Sequence, residues 1–129
     1  MKFFFLYSWL GIMSLGTVAA QKKVSVLYQF IGNGTVGTTP VTMQLNMQSN
    51  GIIKGNYSII NANPSKSYSL EGNSPLGDSE QSTIYIKEND VEKGYFILPY
   101  DIEDLEILIG KWYNLDGSKT QNVYIKRIH

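Results

Sequence analysis

The sequence predicts an all-β protein, an eight-stranded up-and-down antiparallel β-barrel after an N-terminal signal peptide. Three observations lead there. Short alternations of apolar and polar residues recur from about residue 24 to the end, the period-two pattern of half-buried strands. Clusters rich in Gly, Asn, Asp and Pro separate them at close intervals. No segment after residue 20 repeats apolar residues at helical spacing over ten or more positions.

The front of the chain comes first. "MKFFFLYSWLGIMSLGTVAA" carries one Lys at position 2, an apolar stretch from Phe3 to about Leu15, and small residues before Gln21. Val18 and Ala20 occupy the −3 and −1 positions of a cleavage after Ala20, the layout of a secretory leader. The alternative is an uncleaved anchor, since about 18 apolar residues reach across a bilayer. The Ser, Tyr and Gly interruptions and the small-residue exit favour cleavage. The expected organisation is a signal peptide over 1–20 and a single barrel domain over 21–129.

The strands follow in order. "VSVLYQFI" places Val24, Val26, Tyr28 and Phe30 on one face and runs into a loose "GNGTVGTT". "VTMQLNMQ" alternates cleanly, with Val41, Met43, Leu45 and Met47 together. Asn50-Gly51 then marks a hairpin. "IIKGNYSII" turns Ile53, Gly55, Tyr57 and Ile59 inward, and "SYSLEG" does the same with Tyr68, Leu70 and Gly72. After the breaker-rich "NSPLGDSE", "STIYIKE" sets Ile84 and Ile86 against Thr83, Tyr85 and Lys87. "YFILPY" ends near Pro99. "LEILIGKWY" has Leu105, Ile107 and Ile109 inward, which would bring Lys111 inside. A bulge at Gly110 would restore Lys111 to solvent and turn Trp112 in. Asp116-Gly117 is a type I′ turn candidate, and "TQNVYIKR" closes the set. Eight sequential strands with one apolar face close naturally into a barrel, which removes the exposed edges. The alternative is a two-sheet sandwich of the same strands.

Composition narrows function. Removing Lys2 with the leader leaves ten Lys and Arg against eleven Asp and Glu, so there is no electrostatic footprint for nucleic acid. No second long apolar run follows, so no membrane segment is expected after cleavage. The chain has no cysteine, which fits a bacterial periplasm or growth medium better than an animal secretion. In that setting the sequons at Asn33 and Asn56 are chance matches. His129 is the single histidine and the last residue, a poor base for a catalytic triad. Zinc-type sites need clustered His or Cys, so neither a metal site nor a cofactor is expected. The carboxylates gather in two turns, at Glu88, Asp90 and Glu92 and at Asp101, Glu103, Asp104 and Glu106. They read as solvated turns rather than as a glycosidase pair. Lys22-Lys23 and Lys126-Arg127 read as a solvated basic fringe. The chain is therefore not expected to be an enzyme.

Several stretches resemble the avidin and streptavidin family of calycin-type barrels. "NMQSNGIIKGNYSI" is similar to that family's second hairpin, where a Gly-x-Tyr follows a Gly-containing turn. "YSLEGN", "TIYIKEN", "GYFI", "ILIGKWY" and "QNVYIKR" fall at its fourth to eighth strands, over most of Val41–Arg127. The resemblance implies that Tyr57 and Trp112 contact a ligand. The remainder of the biotin site does not carry over. The sixth strand has "YFIL" where the family places hydroxyls, and the fifth has Ile84, Tyr85 and Ile86 in place of a Trp. The first-strand Asn/Ser pair and the eighth-strand Asp are missing. A urea-like head group would lose most of its partners.

The aromatics are the most informative set, with Tyr dominant and Tyr28, Tyr57 and Tyr68 on predicted inward faces. In an eight-stranded barrel they either complete a closed core or line a pocket. The expectation is a non-enzymatic secreted or periplasmic binding protein that holds a small ligand at the barrel mouth, with Tyr57, Tyr68 and Trp112 as ligand-binding residues. The alternative is a protein-binding module, such as a secreted inhibitor or a periplasmic immunity protein. That module would work through "GNGTVGTT" or "EGNSPLGDSE".

Overall fold

The computed structural model describes residues 23–73 and 80–129. The expected signal peptide and most of "NSPLGDSE" lie outside the described residues. Eight strands follow one another: β1 Val26–Val36, β2 Thr39–Gln48, β3 Ile52–Ile59, β4 Lys66–Asn73, β5 Gln81–Glu88, β6 Val91–Pro99, β7 Ile107–Asn114 and β8 Thr120–Arg127. Each pairs antiparallel with the next, and β8 returns to β1, so the sheet closes as an up-and-down barrel with no free edge.

The period-two pattern decides which side chains fill it. Val41, Met43, Leu45 and Met47 of β2 are buried, as are Ile53 and Tyr57 of β3, Leu70 of β4, Ile84 and Ile86 of β5, and Phe96 and Leu98 of β6. With Phe30, Leu108, Val123 and Ile125 they form one continuous core. An eight-stranded barrel is just wide enough for side chains to fill it, and here they do.

Close approach of the strands depends on glycine. Gly34 of β1 lies against Ile125 of β8, and a methyl group there would overlap the Tyr124 carbonyl oxygen. Gly55 is held just as tightly against the Gln44 carbonyl. The "GNGTVGTT" run is therefore not a loose loop. Its first five residues continue β1, and only Gly37 and Thr38 turn the chain, with Gly37 at φ 64°.

The hairpin expected at Asn50-Gly51 is present: Ser49–Gly51 joins β2 to β3, closed by the Gly51 amide donating to the Gln48 carbonyl, with Gly51 at φ 84°. Two later turns depart from expectation. The connection after β7 runs from Leu115 to Lys119 and is not a two-residue type I′ turn at Asp116-Gly117. Only Gly117 has positive φ there, while the Asp116 carboxylate accepts from the Ser118 amide at 2.8 Å. A two-residue turn with both residues at positive φ occurs instead at Asn89-Asp90.

Two expectations are corrected. Val24 and Val26 are exposed, Val24 preceding β1 and Val26 lying before a shift in the β1–β2 pairing, while Tyr28 keeps the parity of Phe30, opposite Met47, but is still 38 % exposed at the barrel end. Strand β7 has no bulge at Gly110, since its register with β8 runs unbroken from Ile107 to Tyr113. Leu108 is the inward residue, while Ile107 and Ile109 face solvent at 39 % and 63 % exposure. Trp112 shares the parity of Leu108 and turns in without a bulge, and Lys111 reaches Asn122 on the outside at 2.6 Å.

The barrel ends differ. The end where β6 passes to β7 is closed by residues 100–106, whose Ile102 is fully buried and whose Leu105 packs on the core. Arg127 secures this segment. Its guanidinium donates to the carbonyls of Leu105, Ile102 and Glu103, at 2.7, 2.9 and 3.0 Å, and to that of Gln29 at 3.1 Å. The basic fringe expected at Lys126-Arg127 is thus half a structural clamp. The other end of the barrel has only short turns over it.

Candidate functional site

The open end carries the candidate site. Tyr57 and Tyr68 stand directly opposite each other on β3 and β4, near the ends of those strands at the mouth. Their rings stack with centroids 5.0 Å apart and planes at 22°. Phe96 meets Tyr57 edge-on at 5.3 Å and 74°, so the Tyr57 ring is packed from two sides. Trp112 comes from β7, four strands from β3 and thus across the barrel. It makes no aromatic ring contact and no side-chain hydrogen bond among the described residues.

These three residues line one open cleft of about 330 Å³ together with Ile86, Lys66, Glu88 and Lys93. A smaller hollow of about 120 Å³ adjoins it, bounded by Tyr57 and Trp112 again and by Val36, Thr39, Val41, Ile59 and Gln121. The cleft lies above the filled core and is not a hollow barrel interior. Its floor is apolar and aromatic, and its rim is charged.

The rim follows from local structure. Lys66 is two residues before Tyr68 and Glu88 two residues after Ile86, so each continues an inward face past the point where the barrel closes. Lys93 arrives differently. The β5–β6 pairing shifts, with Ile86 opposite Gly94 but Lys87 opposite Glu92, which leaves Lys93 as the extra residue of a bulge. A bulge re-aims a side chain, here toward the mouth. Lys93 and Glu88 pair loosely at 4.0 Å, and Lys66 has no carboxylate partner among the described residues. Lys66 and Lys93 were not among the expected site residues, and Glu88 was expected only as part of a solvated acidic turn. Strand parity could have given Lys66 and Glu88, whereas Lys93 needed the bulge.

The Tyr57 hydroxyl is unusual. The residue is 7 % exposed and its hydroxyl has no hydrogen-bond partner among the described residues. Burial pushes its pKa above the ordinary 10.0, with the Tyr68 hydroxyl and the Glu88 carboxylate adding to the effect. The phenol therefore stays neutral and keeps a proton to donate.

Two other surfaces carry aromatic side chains. A larger cleft of about 420 Å³ lies at the opposite end, between Leu27, Tyr28 and Met47 on one side and Tyr100–Glu103 on the other. Tyr28, expected inside the barrel, is on its wall. On the outer face of β5–β7, Tyr85, Tyr95 and Tyr113 form a row, with ring centroids 6.4 Å and 5.1 Å apart. Among the described residues no three His, Cys, Asp or Glu side chains gather as metal ligands, and the two acidic turns lie at opposite ends.

The comparisons with known proteins add no family. No protein-family model matches the chain, and neither a curated protein nor a solved structure resembles it significantly. The architecture itself, an eight-stranded antiparallel barrel, is consistent with a calycin-like fold.

Proposed function

We propose that this protein is a non-enzymatic binding protein, secreted or periplasmic, that holds a small ligand at the open mouth of its barrel. One observation carries the reading: Tyr57, Tyr68 and Trp112, brought from three strands, line a single cleft of about 330 Å³. A cleft of that size suits a small organic molecule. The Tyr57 hydroxyl and the Trp112 indole N–H, neither hydrogen-bonded among the described residues, offer donors to a ligand there. The avidin-like placement of Tyr57 and Trp112 supports the same residues, while the missing hydroxyls of the biotin site argue for a different ligand.

A second reading is a protein-binding module. Of the two loops expected to serve it, "GNGTVGTT" is mostly strand, and "EGNSPLGDSE" lies largely outside the described residues. The outer row Tyr85–Tyr95–Tyr113 supports this reading instead, because exposed aromatics are enriched at interfaces.

The test is recovery of the protein from its native compartment, followed by mass spectrometry of what co-purifies. A small molecule retained by the wild type and lost from Trp112→Ala supports the mouth site. A retained protein, lost from Tyr95→Ala and kept by Trp112→Ala, supports the outer face.

A further inference from the structure

The chemistry around the mouth narrows the ligand class. The Tyr57 ring is already covered by Tyr68 on one face and by the edge of Phe96. The Trp112 indole faces the cleft without stacking on any ring among the described residues. A slot walled by an unstacked indole on one side and a stacked tyrosine pair on the other fits a flat ring, since offset or edge-on packing at 4.5–7 Å is the favoured geometry for aromatic pairs.

Charge supplies the second criterion. Two ammonium groups, Lys66 and Lys93, reach this cleft against one carboxylate, Glu88. Glu88 is engaged only loosely, with Lys93 at 4.0 Å, and Lys66 pairs with no carboxylate among the described residues. The larger cleft at the opposite end has Asp101 and Glu103 on its wall and, among the described residues, no basic residue lining it. The lining of the mouth cleft is thus net positive and that of the opposite cleft net negative, which favours a negatively charged molecule in the mouth cleft.

We propose that the mouth cleft selects a small flat-ring anion, its ring between Trp112 and the Tyr57–Tyr68 pair and its negative group met by Lys66 and Lys93. This rests on the mouth-binding reading above and adds the class of ligand. The hydroxyl of Tyr57, held as a neutral donor, is positioned to meet an acceptor on the ring.

The probes are three indoles of one shape and different charge: indole-3-acetate, its neutral amide, and the cationic tryptamine. The full chain carries Trp9→Phe, so that Trp112 gives the only indole N–H signal in a nitrogen-15 spectrum. Indole-3-acetate is expected to shift that signal and to bind roughly three- to tenfold more tightly than the amide, as two partly exposed ion pairs allow. The preference should vanish at about 1 M salt and in Lys66→Gln/Lys93→Gln, with binding of the amide unchanged. If the amide or tryptamine shifts Trp112 as well as the acid does, the anion class is wrong while the mouth site stands. If none of the three moves the Trp112 signal at millimolar concentration, both are overturned.

Discussion

The guanidinium of Arg127 lies 4.8 Å from the centre of the Phe30 ring. The last residue of β8 is thereby stacked on a fully buried residue of β1, and the same group donates to four backbone carbonyls. The contact joins the first strand, the last strand and the segment that closes one end of the barrel.

Removing that group should loosen the closed end. Arg127→Met keeps much of the apolar stem but removes the hydrogen bonds and the cation–π contact. The expected loss is about 2–4 kcal/mol, read from denaturant midpoints. Arg127→Lys should recover little of it, because an ammonium cannot reproduce the planar fork. Hydrogen exchange should accelerate first in residues 100–106. A loss below about 0.5 kcal/mol would show that the carbonyls are as well served by water.

The β1–β8 seam makes a second prediction. Gly34 has an ordinary backbone, and what matters there is space. In Gly34→Ala the methyl group meets the Tyr124 carbonyl and the strands must part, at a cost of about 3 kcal/mol. For a domain of this size Tm falls by roughly 10–15 °C. Asn33→Ala next to it, on the outer face, should change Tm by no more than a few degrees.

The same glycines show what the sequence could and could not reveal. Strands β2 to β6 were legible because most of their inward residues are large and most of their outward ones polar, so alternation reports parity directly. At "GNGTVGTT" the inward positions 32 and 34 are glycine, and composition reads as loop although spacing demands it in a strand. In "LEILIG" the run of apolar residues hides parity, because Ile107 and Ile109 are exposed beside buried Leu108. The expectation placed Trp112 inside through a bulge that does not exist, whereas the parity of Leu108 suffices. Arg127 could not be read locally at all, since its partners lie at least 22 residues away in sequence. The meeting of Tyr57, Tyr68 and Trp112 at one cleft followed from closure, and the rim at Lys93 depended on a pairing shift that leaves no mark in composition.

Trp112 should be separable from the core. It packs against the core only partly buried, in contrast to fully buried Phe96 opposite it on β6. Trp112→Ala is expected to cost about 1–2 kcal/mol and to leave the strand signature in circular dichroism intact, while Phe96→Ala costs about 3–5 kcal/mol. Loss of indole-3-acetate binding in a folded Trp112→Ala fits a ligand wall. Global unfolding of Trp112→Ala would mark it as a structural plug.

Alkaline pH tests the environment of Tyr57. Its phenol loses its proton less readily when folded than the ordinary value of 10.0 implies, chiefly through burial. Above that value the unfolded chain releases a proton that the folded chain retains. The folded state then binds more protons than the unfolded one, so stability falls as pH rises through and beyond 10.0. Below it the phenol is neutral in both states and contributes no slope. Tyr57→Phe removes the proton and the unpartnered hydroxyl together. At neutral pH it should be within about 1 kcal/mol of wild type, because no hydrogen bond among the described residues is lost. At pH 11 it should be the more stable of the two, and the gap should widen with pH. Urea midpoints for both proteins at pH 7, 10 and 11 measure this directly. Parallel curves would mean that water or a neighbouring group stabilises the Tyr57 phenolate in the folded protein. The mouth would then be wetter than its 7 % exposure at Tyr57 suggests.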